Sequence, residues 1–486
     1  MYKIIVYEEG INLGRTPIYE VVKNYCQENN CRFHMPGHIG GQGLIAELQS
    51  VARLDVTEVP GLDDLHLPRG AILEARQLLA KAYDARNSLF LVNGATSGIH
   101  TLFLSLNSSA SVLVPRNAHS SFYGGLVLSG AWPIYFLPQI ETNLGIALSV
   151  LTQEIIKQLI NHPQVEAVFI TSPSYYGTTC DIEAIARITR ESGKLLYIDE
   201  AHGGHFPFHS EYPAAALKSG ADAVVNGLHK NLPVLNQGAV LHGGAQAPWG
   251  RIEAAFNLIT TTSPSYPILA SLDLARELMM TRGQYLLEQA LLLSRHYKSK
   301  INTIKGLKCL DEELLSFPGV TGVDPLKVLI NVEGLKLNGF KLGCLLRSEY
   351  NIQIELAEEK IILAMMSLFH QAEDWEKLYQ ALQSVAAKYL ASPAPAVAIK
   401  LPPWPKVILS PRQAFFAPKR MVKFSECQGQ IAGEIVAVYP PGIPCLLPGE
   451  AITPQTFDYL QYIKVGKARL QGLKDPELNY ITVIDV

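Results

Sequence analysis

Asn226-Gly227-Leu228-His229-Lys230-Asn231-Leu232 follows directly on the strand-like run Ala221-Asp222-Ala223-Val224-Val225. Lys230 therefore stands just past the end of a predicted strand, after a glycine and before another apolar segment. Alone, a lysine in that place reads as an ordinary solvated side chain. An earlier strand, Lys194 to Ile198, ends at Asp199 within Tyr197-Ile198-Asp199-Glu200-Ala201-His202. A strand-end Asp often caps a helix, but Glu200-Ala201-His202-Gly203-Gly204 is a poor helix start. A carboxylate ending one strand and a lysine following the next put two opposite charges at one edge of a sheet.

The same rhythm extends outward from this pair. Leu89 to Val92 is a short buried strand running into Asn93-Gly94-Ala95-Thr96-Ser97-Gly98, and a helix is predicted from Ile99 to Leu106. Strand, small-residue turn and helix form the geometry in which N–H groups and hydroxyls hold a phosphate, and equally an ordinary capped helix. No Gly-x-x-x-x-Gly-Lys or Gly-x-Gly-x-x-Gly run is present, so nucleotide binding is not indicated. Ser111 to Pro115 is a strand, followed by Arg116-Asn117-Ala118-His119 and a helix through Leu128. Pro133 to Phe136 and Val165 to Ile170 are strands, the second ending in Thr171-Ser172-Pro173-Ser174-Tyr175-Tyr176-Gly177, and a helix covers Ile182 to Ser192. This βαβ alternation predicts a mostly parallel sheet with helices on both faces. Ligands gather beyond the carboxyl ends of such strands. Thr96, His119, Ser172, Asp199 and Lys230 all follow predicted strands, which points to one site.

The 486 residues exceed one ordinary core, so several domains are expected. They divide into an N-terminal segment, 1–55, a large domain, 56–280, a smaller α+β domain, 281–390, and a C-terminal module, 391–486. A helix is predicted from Thr16 to Glu28, a long one from Ala270 to about Lys298, and a linker at Ala391-Ser392-Pro393-Ala394-Pro395-Ala396. Apolar residues make up 48%, charged residues 17%, and the formal net charge is −3 without a basic block, which argues against nucleic acid. No apolar run has membrane-spanning length, and Met1 to Glu9 turns acidic too early for a signal peptide. The seven scattered cysteines suit reduced thiols in a cytoplasm. His34 and His38 flank Pro36-Gly37 and share no helix face, so no metal site is expected. Glu58, Asp63 and Asp64, in the Val56 to His66 loop, suit either a solvated turn or a cationic substrate.

Taken together, His34-Met35-Pro36-Gly37-His38, Pro60-Gly61-Leu62-Asp63-Asp64-Leu65-His66, Asn93 to Gly98, Pro115-Arg116-Asn117-Ala118-His119, Asp199-Glu200-Ala201-His202, His229-Lys230 and Tyr439-Pro440-Pro441-Gly442-Ile443-Pro444 resemble one family. It is the bacterial ornithine/lysine/arginine decarboxylases, pyridoxal phosphate (PLP) enzymes of fold type I. The resemblance covers nearly the whole chain and is closest to the short form, without an N-terminal wing domain. It implies an α/β fold: a PLP-dependent transferase (fold type I, aspartate aminotransferase-like) large domain with a mostly parallel sheet, a smaller α+β domain and a C-terminal module. It also implies a homodimer or dimer of dimers.

By that resemblance Lys230 forms the Schiff base with PLP and Asp199 pairs with the pyridine nitrogen. His119 stacks on the ring, and Ala95, Thr96 and Ser97 bind the phosphate. Ser172 and His202 contact the ring oxygen or edge, and His229 orients the phosphate or the reprotonating group. The implied reaction is decarboxylation of a basic amino acid for polyamine biosynthesis, with arginine first, then lysine and ornithine. Glu355 and Glu450 join the Asp63-Asp64 loop as candidate partners of the distal cation. Three positions depart from the family: Gly227 for a serine, Ser120 for a lysine and Ile39 for a lysine. The hydroxyl missing at Gly227 leaves the phosphate cup to Thr96, Ser97 and the loop from Thr260 to Ser265, contributed across a subunit interface. Another fold type I reaction, such as aminotransfer or aldol cleavage, and a non-catalytic PLP-binding relative remain open alternatives.

Overall fold

The computed structural model describes residues 13–391, 400–439, 443–465 and 469–485. The stretch Met1 to Glu9, nearly all of the linker, and Pro440-Pro441-Gly442 lie outside the described residues. The described residues group into two compact units. One is drawn from Met1–Ser105, Ile182–Ala290 and Ser367–Phe369, the other from Leu106–Asp181, Leu291–Met366 and His370–Val486.

Short, β-branched apolar runs become strands because each can bury both faces. In the first unit these are β1 (Asn87–Leu91), and in the second β2 (Ser111–Pro115), β3 (Trp132–Phe136) and β4 (Val165–Thr171). The first unit continues with β5 (Leu195–Asp199), β6 (Ala223–Asn226) and β7 (Ala239–Gly243). Within the first unit the order is β1-β7-β6-β5, and β5 runs parallel to β6 with Asp199 opposite Val225. Within the second, β3 and β4 flank β2, both parallel to it. One strand departs from the expected parallel direction. β7 runs antiparallel to both β1 and β6. The segment from Gly227 to Gly238 contains only a 3-10 turn, Leu228–Lys230, and no α-helix to carry the chain back across the sheet.

The helix after β1 covers Gly94–Leu104, so it begins well before the predicted Ile99. The small residues read as a turn are its first turn. Their value is close packing. A Cβ at Gly98 would stand 2.7 Å from Leu91 Cδ1 and 2.8 Å from Val225 Cγ1, so the helix lies against the sheet where only glycine fits. The N-terminal segment is anchored to the same unit by a buried pair. Arg276 Nη2 meets Asp273 Oδ1 at 2.6 Å, Asp273 Oδ2 accepts the Ile18 N–H at 2.9 Å, and Arg276 Nη1 donates to Leu13 O at 2.6 Å.

In the second unit, Lys308–Leu310, Lys327–Asn331, Ile361–Met365 and Leu356–Ala357 form a small antiparallel sheet. Val422, Phe424, Val436, Leu446, Leu460 and Ile481 share a separate C-terminal core. Among the described residues no helix is long and apolar enough to cross a membrane.

Gly98→Val should lower stability by about 1–3 kcal/mol, the usual range for overpacking. Urea unfolding measures it, and an unchanged midpoint would contradict the close approach described above.

Candidate active site

The carboxyl ends of β5 and β6 build the core of the site. Asp199 is the last residue of β5 and is buried, with Oδ1 accepting the Ala201 N–H at 3.1 Å. The chain then turns through Ala201 and His202. After β6 the 3-10 turn presents Lys230, whose Nζ lies 3.2 Å from His202 Nε2. Two sequence-predicted residues, Lys230 and His202, are thus brought into hydrogen-bond contact. His229 faces another way, its Nδ1–H donating to Gly238 O at 2.9 Å, while its own N–H donates to the same carbonyl at 3.2 Å.

Gly227 has a local reason for being glycine. Its N–H donates to Ala201 O at 3.2 Å. A Cβ there would stand 3.1 Å from that oxygen and 3.3 Å from Cδ and Cε of Lys230. A serine side chain there would have to displace the Ala201 carbonyl or the lysine stem by a few tenths of an ångström.

Glu200 and Asn226 are residues that the sequence reading quoted without assigning. Asn226 Nδ2 donates to both the Glu200 carbonyl and Glu200 Oε2, each at 3.0 Å. The Ala216 N–H reaches Glu200 Oε1 at 2.8 Å. Burial pushes the Glu200 carboxyl up to about 8, against the opposing pull of the Asn226 and Ala216 donors, and nearby Asp199 adds to the rise. The only sequence signal was a polar residue closing an otherwise apolar strand.

The helix Gly94–Leu104 starts without a side-chain cap from Asn93, and Gly94 has φ +72 with open space where a Cβ would stand. The Gly94 N–H is held by Gln237 O at 2.8 Å, so this helix start is tied to the loop after Lys230. The Ser97 hydroxyl donates to Gly94 O at 2.8 Å. Ala95 and Thr96 share this first turn. The loop carrying Thr260 to Ser265 is largely exposed, and Thr261 O meets His66 Nε2 at 2.8 Å.

The remaining predicted residues lie in the second unit. His119 caps the helix Ser120–Ser129, its Nδ1 accepting the Ser121 N–H at 3.2 Å. Ser172 is buried and its hydroxyl oxygen accepts the Cys180 N–H at 3.4 Å.

Two proposed partners of a distal cation prove to be occupied. Asp63 accepts N–H groups from Arg69, Gly70 and Ile72 at 2.9–3.0 Å. Burial raises its pKa, but these donors and the Asp64 N–H outweigh it and hold the carboxyl below the usual range. Glu450 is buried against Arg116, with Oε2 accepting from Nη2 at 2.8 Å. Glu355 remains exposed and accepts from the Tyr175 hydroxyl.

Residues 16–374 match the family described as Orn/Lys/Arg decarboxylase, major domain, and residues 400–477 match its C-terminal domain. The chain belongs to the Orn/Lys/Arg decarboxylase family. It is an amino-acid decarboxylase, a carbon–carbon lyase. It is 33% identical to the arginine decarboxylase of Bacillus anthracis, across 100% of this chain and 99% of that one. It is 32% identical to the arginine decarboxylase of Bacillus subtilis, across 96% and 98%. Its fold is that of the Francisella novicida lysine decarboxylase LdcF, with TM-score 0.81 at 20% identity over 97% of this chain and 81% of that one. The family implies PLP. The residues present suit it: a buried strand-end carboxylate, a lysine in the turn after the neighbouring strand and a helix start without a side-chain cap.

Glu200 makes the stability of the decarboxylase pH-dependent. Its folded pKa of about 8 lies above the ordinary value of 4.5. The folded chain keeps a proton that the unfolded chain has lost, so stability falls as pH rises through that window. Glu200→Gln should flatten this loss, read as the change in urea midpoint between mildly acidic and mildly alkaline buffer. An equally steep loss in the variant would exclude Glu200 as its source.

Proposed function

We propose that this decarboxylase acts on arginine, with PLP as its cofactor. The observation that carries the reading is the Lys230–His202 contact beside buried Asp199, at the ends of two parallel strands. Full-length relatives named as arginine decarboxylases support the substrate.

Lys230 would hold the cofactor covalently through Nζ, with Asp199 paired to the pyridine nitrogen. His119 would lie against the ring, and the first-turn N–H groups of Ala95, Thr96 and Ser97 would take the phosphate. Ser172 and His202 would meet the ring oxygen or edge. When bound, PLP supplies a conjugated ring that accepts the electron pair left by departing CO2. Asp199 keeps a proton on the ring nitrogen. An ion pair near 4 Å contributes up to about 4 kcal/mol at an effective dielectric of 20. His202 Nε2 accepts from Lys230 Nζ and so can hold or pass on that group's proton. His229 holds the turn that carries Lys230.

A substrate guanidinium needs a carboxylate partner if its charge is to be buried. Among the described residues Asp63 and Glu450 are held by several donors each, whereas Glu58, Asp64 and Glu355, with one such donor apiece from Thr57, His66 and Tyr175, remain the candidates. A homodimer is part of the same proposal. Phe33 is 96% exposed, Met35 67% and Ile45 65%, large apolar side chains of the N-terminal segment that a second copy would cover.

Amine release measured in parallel on arginine, lysine and ornithine should favour arginine by at least about tenfold in kcat/KM, a difference of roughly 1.4 kcal/mol. Equal rates, or a keto acid in place of CO2, would refute the assignment. Lys230→Ala should remove the visible absorption of the cofactor-bound protein, and Asp199→Asn should keep cofactor yet lose most turnover. Light scattering should give a dimer mass, and Phe33→Asp should weaken it. A wild-type monomer at micromolar concentration would end the homodimer proposal.

A further inference from the structure

The second unit contains a device for which no role has been given above. Arg116 is buried, with Nη1 and Nη2 both on the Glu450 carboxylate and Nε donating to Pro444 O at 3.0 Å. Its guanidinium carbon stands 4.9 Å from the Tyr135 ring centroid and 5.5 Å from that of Trp404. Its own N–H donates to Phe136 O at 2.8 Å. Each of the three guanidinium nitrogens thus donates a hydrogen bond, and two aromatic rings lie close to the guanidinium carbon. Three residues further on, His119 starts the helix Ser120–Ser129.

The other end of that helix is held by the same C-terminal piece. Arg412 Nη1 donates to Leu128 O at 2.9 Å, and a Cβ at Gly130 would stand 3.3 Å from Arg412 Cδ. Arg412 belongs to a short helix, Pro411–Phe416, opened by Ser410 and Gln413 in a capping box. The segment leading into it is bonded to the residue before Glu450. The N–H groups of Ile408 and Leu409 donate to Gly449 O at 2.9 and 3.0 Å. A Cβ at Gly449 would stand 2.4 Å from Leu409 O. Arg412 and Glu450 therefore sit on one internally bonded piece, which holds Arg116, three residues before His119, and the last turn of the His119 helix.

We propose that Glu450 and Arg412 are positioning residues that set the place of His119 from the C-terminal domain. The inference rests on the assignment of His119 to the cofactor ring. In this role Glu450 acts through Arg116 and the Pro115-to-His119 turn, and touches neither substrate nor cofactor.

The test uses the full chain with Glu450→Gln, Arg412→Ala, the exchanged pair Arg116→Glu with Glu450→Arg, and His119→Ala. Amide hydrogen exchange without added cofactor is read over residues 119–129, with the helix Ile182–Glu191 as reference. Visible circular dichroism of the PLP-loaded protein, kcat and KM are read beside it. Glu450→Gln should speed exchange at residues 119–123, and Arg412→Ala at residues 127–129, by at least about tenfold, leaving the reference helix unchanged. Both should lower kcat more than KM and weaken the visible dichroism, and the exchanged pair should restore part of each. Unchanged exchange in residues 119–129, or equal acceleration in the reference helix, would overturn the proposal. If Glu450→Gln fails to fold, Arg412→Ala, which leaves the buried pair intact, decides it by the same readings. His119→Ala with wild-type kcat and dichroism would instead refute the role of His119, while the exchange result still judges the clamp.

Discussion

The parallel pairing of Leu195–Asp199 with Ala223–Asn226 is the constraint on which the site depends. It places Asp199 opposite Val225, so the carboxylate and the turn that presents Lys230 leave the sheet side by side. Backbone bonds then couple the two exits. The Glu200 N–H donates to Val225 O and the Gly227 N–H to Ala201 O, at 3.0 and 3.2 Å. Neither strand end can shift without breaking a bond to the other. The site is built on sheet geometry, which is stiffer than a loop could be.

Much of the polar investment of the chain lies out of sight of solvent. Glu200, Arg116, Glu450, Asp273 and Arg276 are all buried. The two ion pairs among them, Arg116–Glu450 and Arg276–Asp273, contribute little net stability against well-packed apolar substitutes, yet removing one partner costs about 3–5 kcal/mol. Their effect is therefore on uniqueness of arrangement. Each fixes a specific backbone segment: the Asp199–His202 turn, the approach to His119, and the N-terminal segment through Ile18 and Leu13. Close contacts at Gly98, Gly227 and Gly449 act alongside them, admitting the neighbouring atoms that a side chain would displace.

The strand positions were legible because short apolar runs bounded by Gly, Pro and polar residues carry their own punctuation. Asp199 and Lys230 were legible because both follow such runs. The start of the helix at Gly94 was not, because Gly, Ala, Thr and Ser carry no apolar periodicity, and packing against Leu91 and Val225 decides their conformation. The direction of β7 was hidden for a similar reason, since local pattern does not reveal whether a connection contains a helix. Glu450 reads in sequence as either a structural carboxylate or a candidate partner for substrate, because an acidic residue in sequence shows its charge and not its neighbours. Arg116 lies far away in the chain, and only the fold brings the two together.

The bond between Arg116 and Glu450 joins residues from the two separately matched parts of the family, 16–374 and 400–477. That has a consequence for how these parts can recombine. A chimera joining the major domain of one relative to the C-terminal domain of another inherits the arginine from one parent and the carboxylate from the other. Where one parent lacks both charges and the other has both, the hybrid encloses a single unbalanced charge. The buried pair therefore ties the choice of one part to the choice of the other.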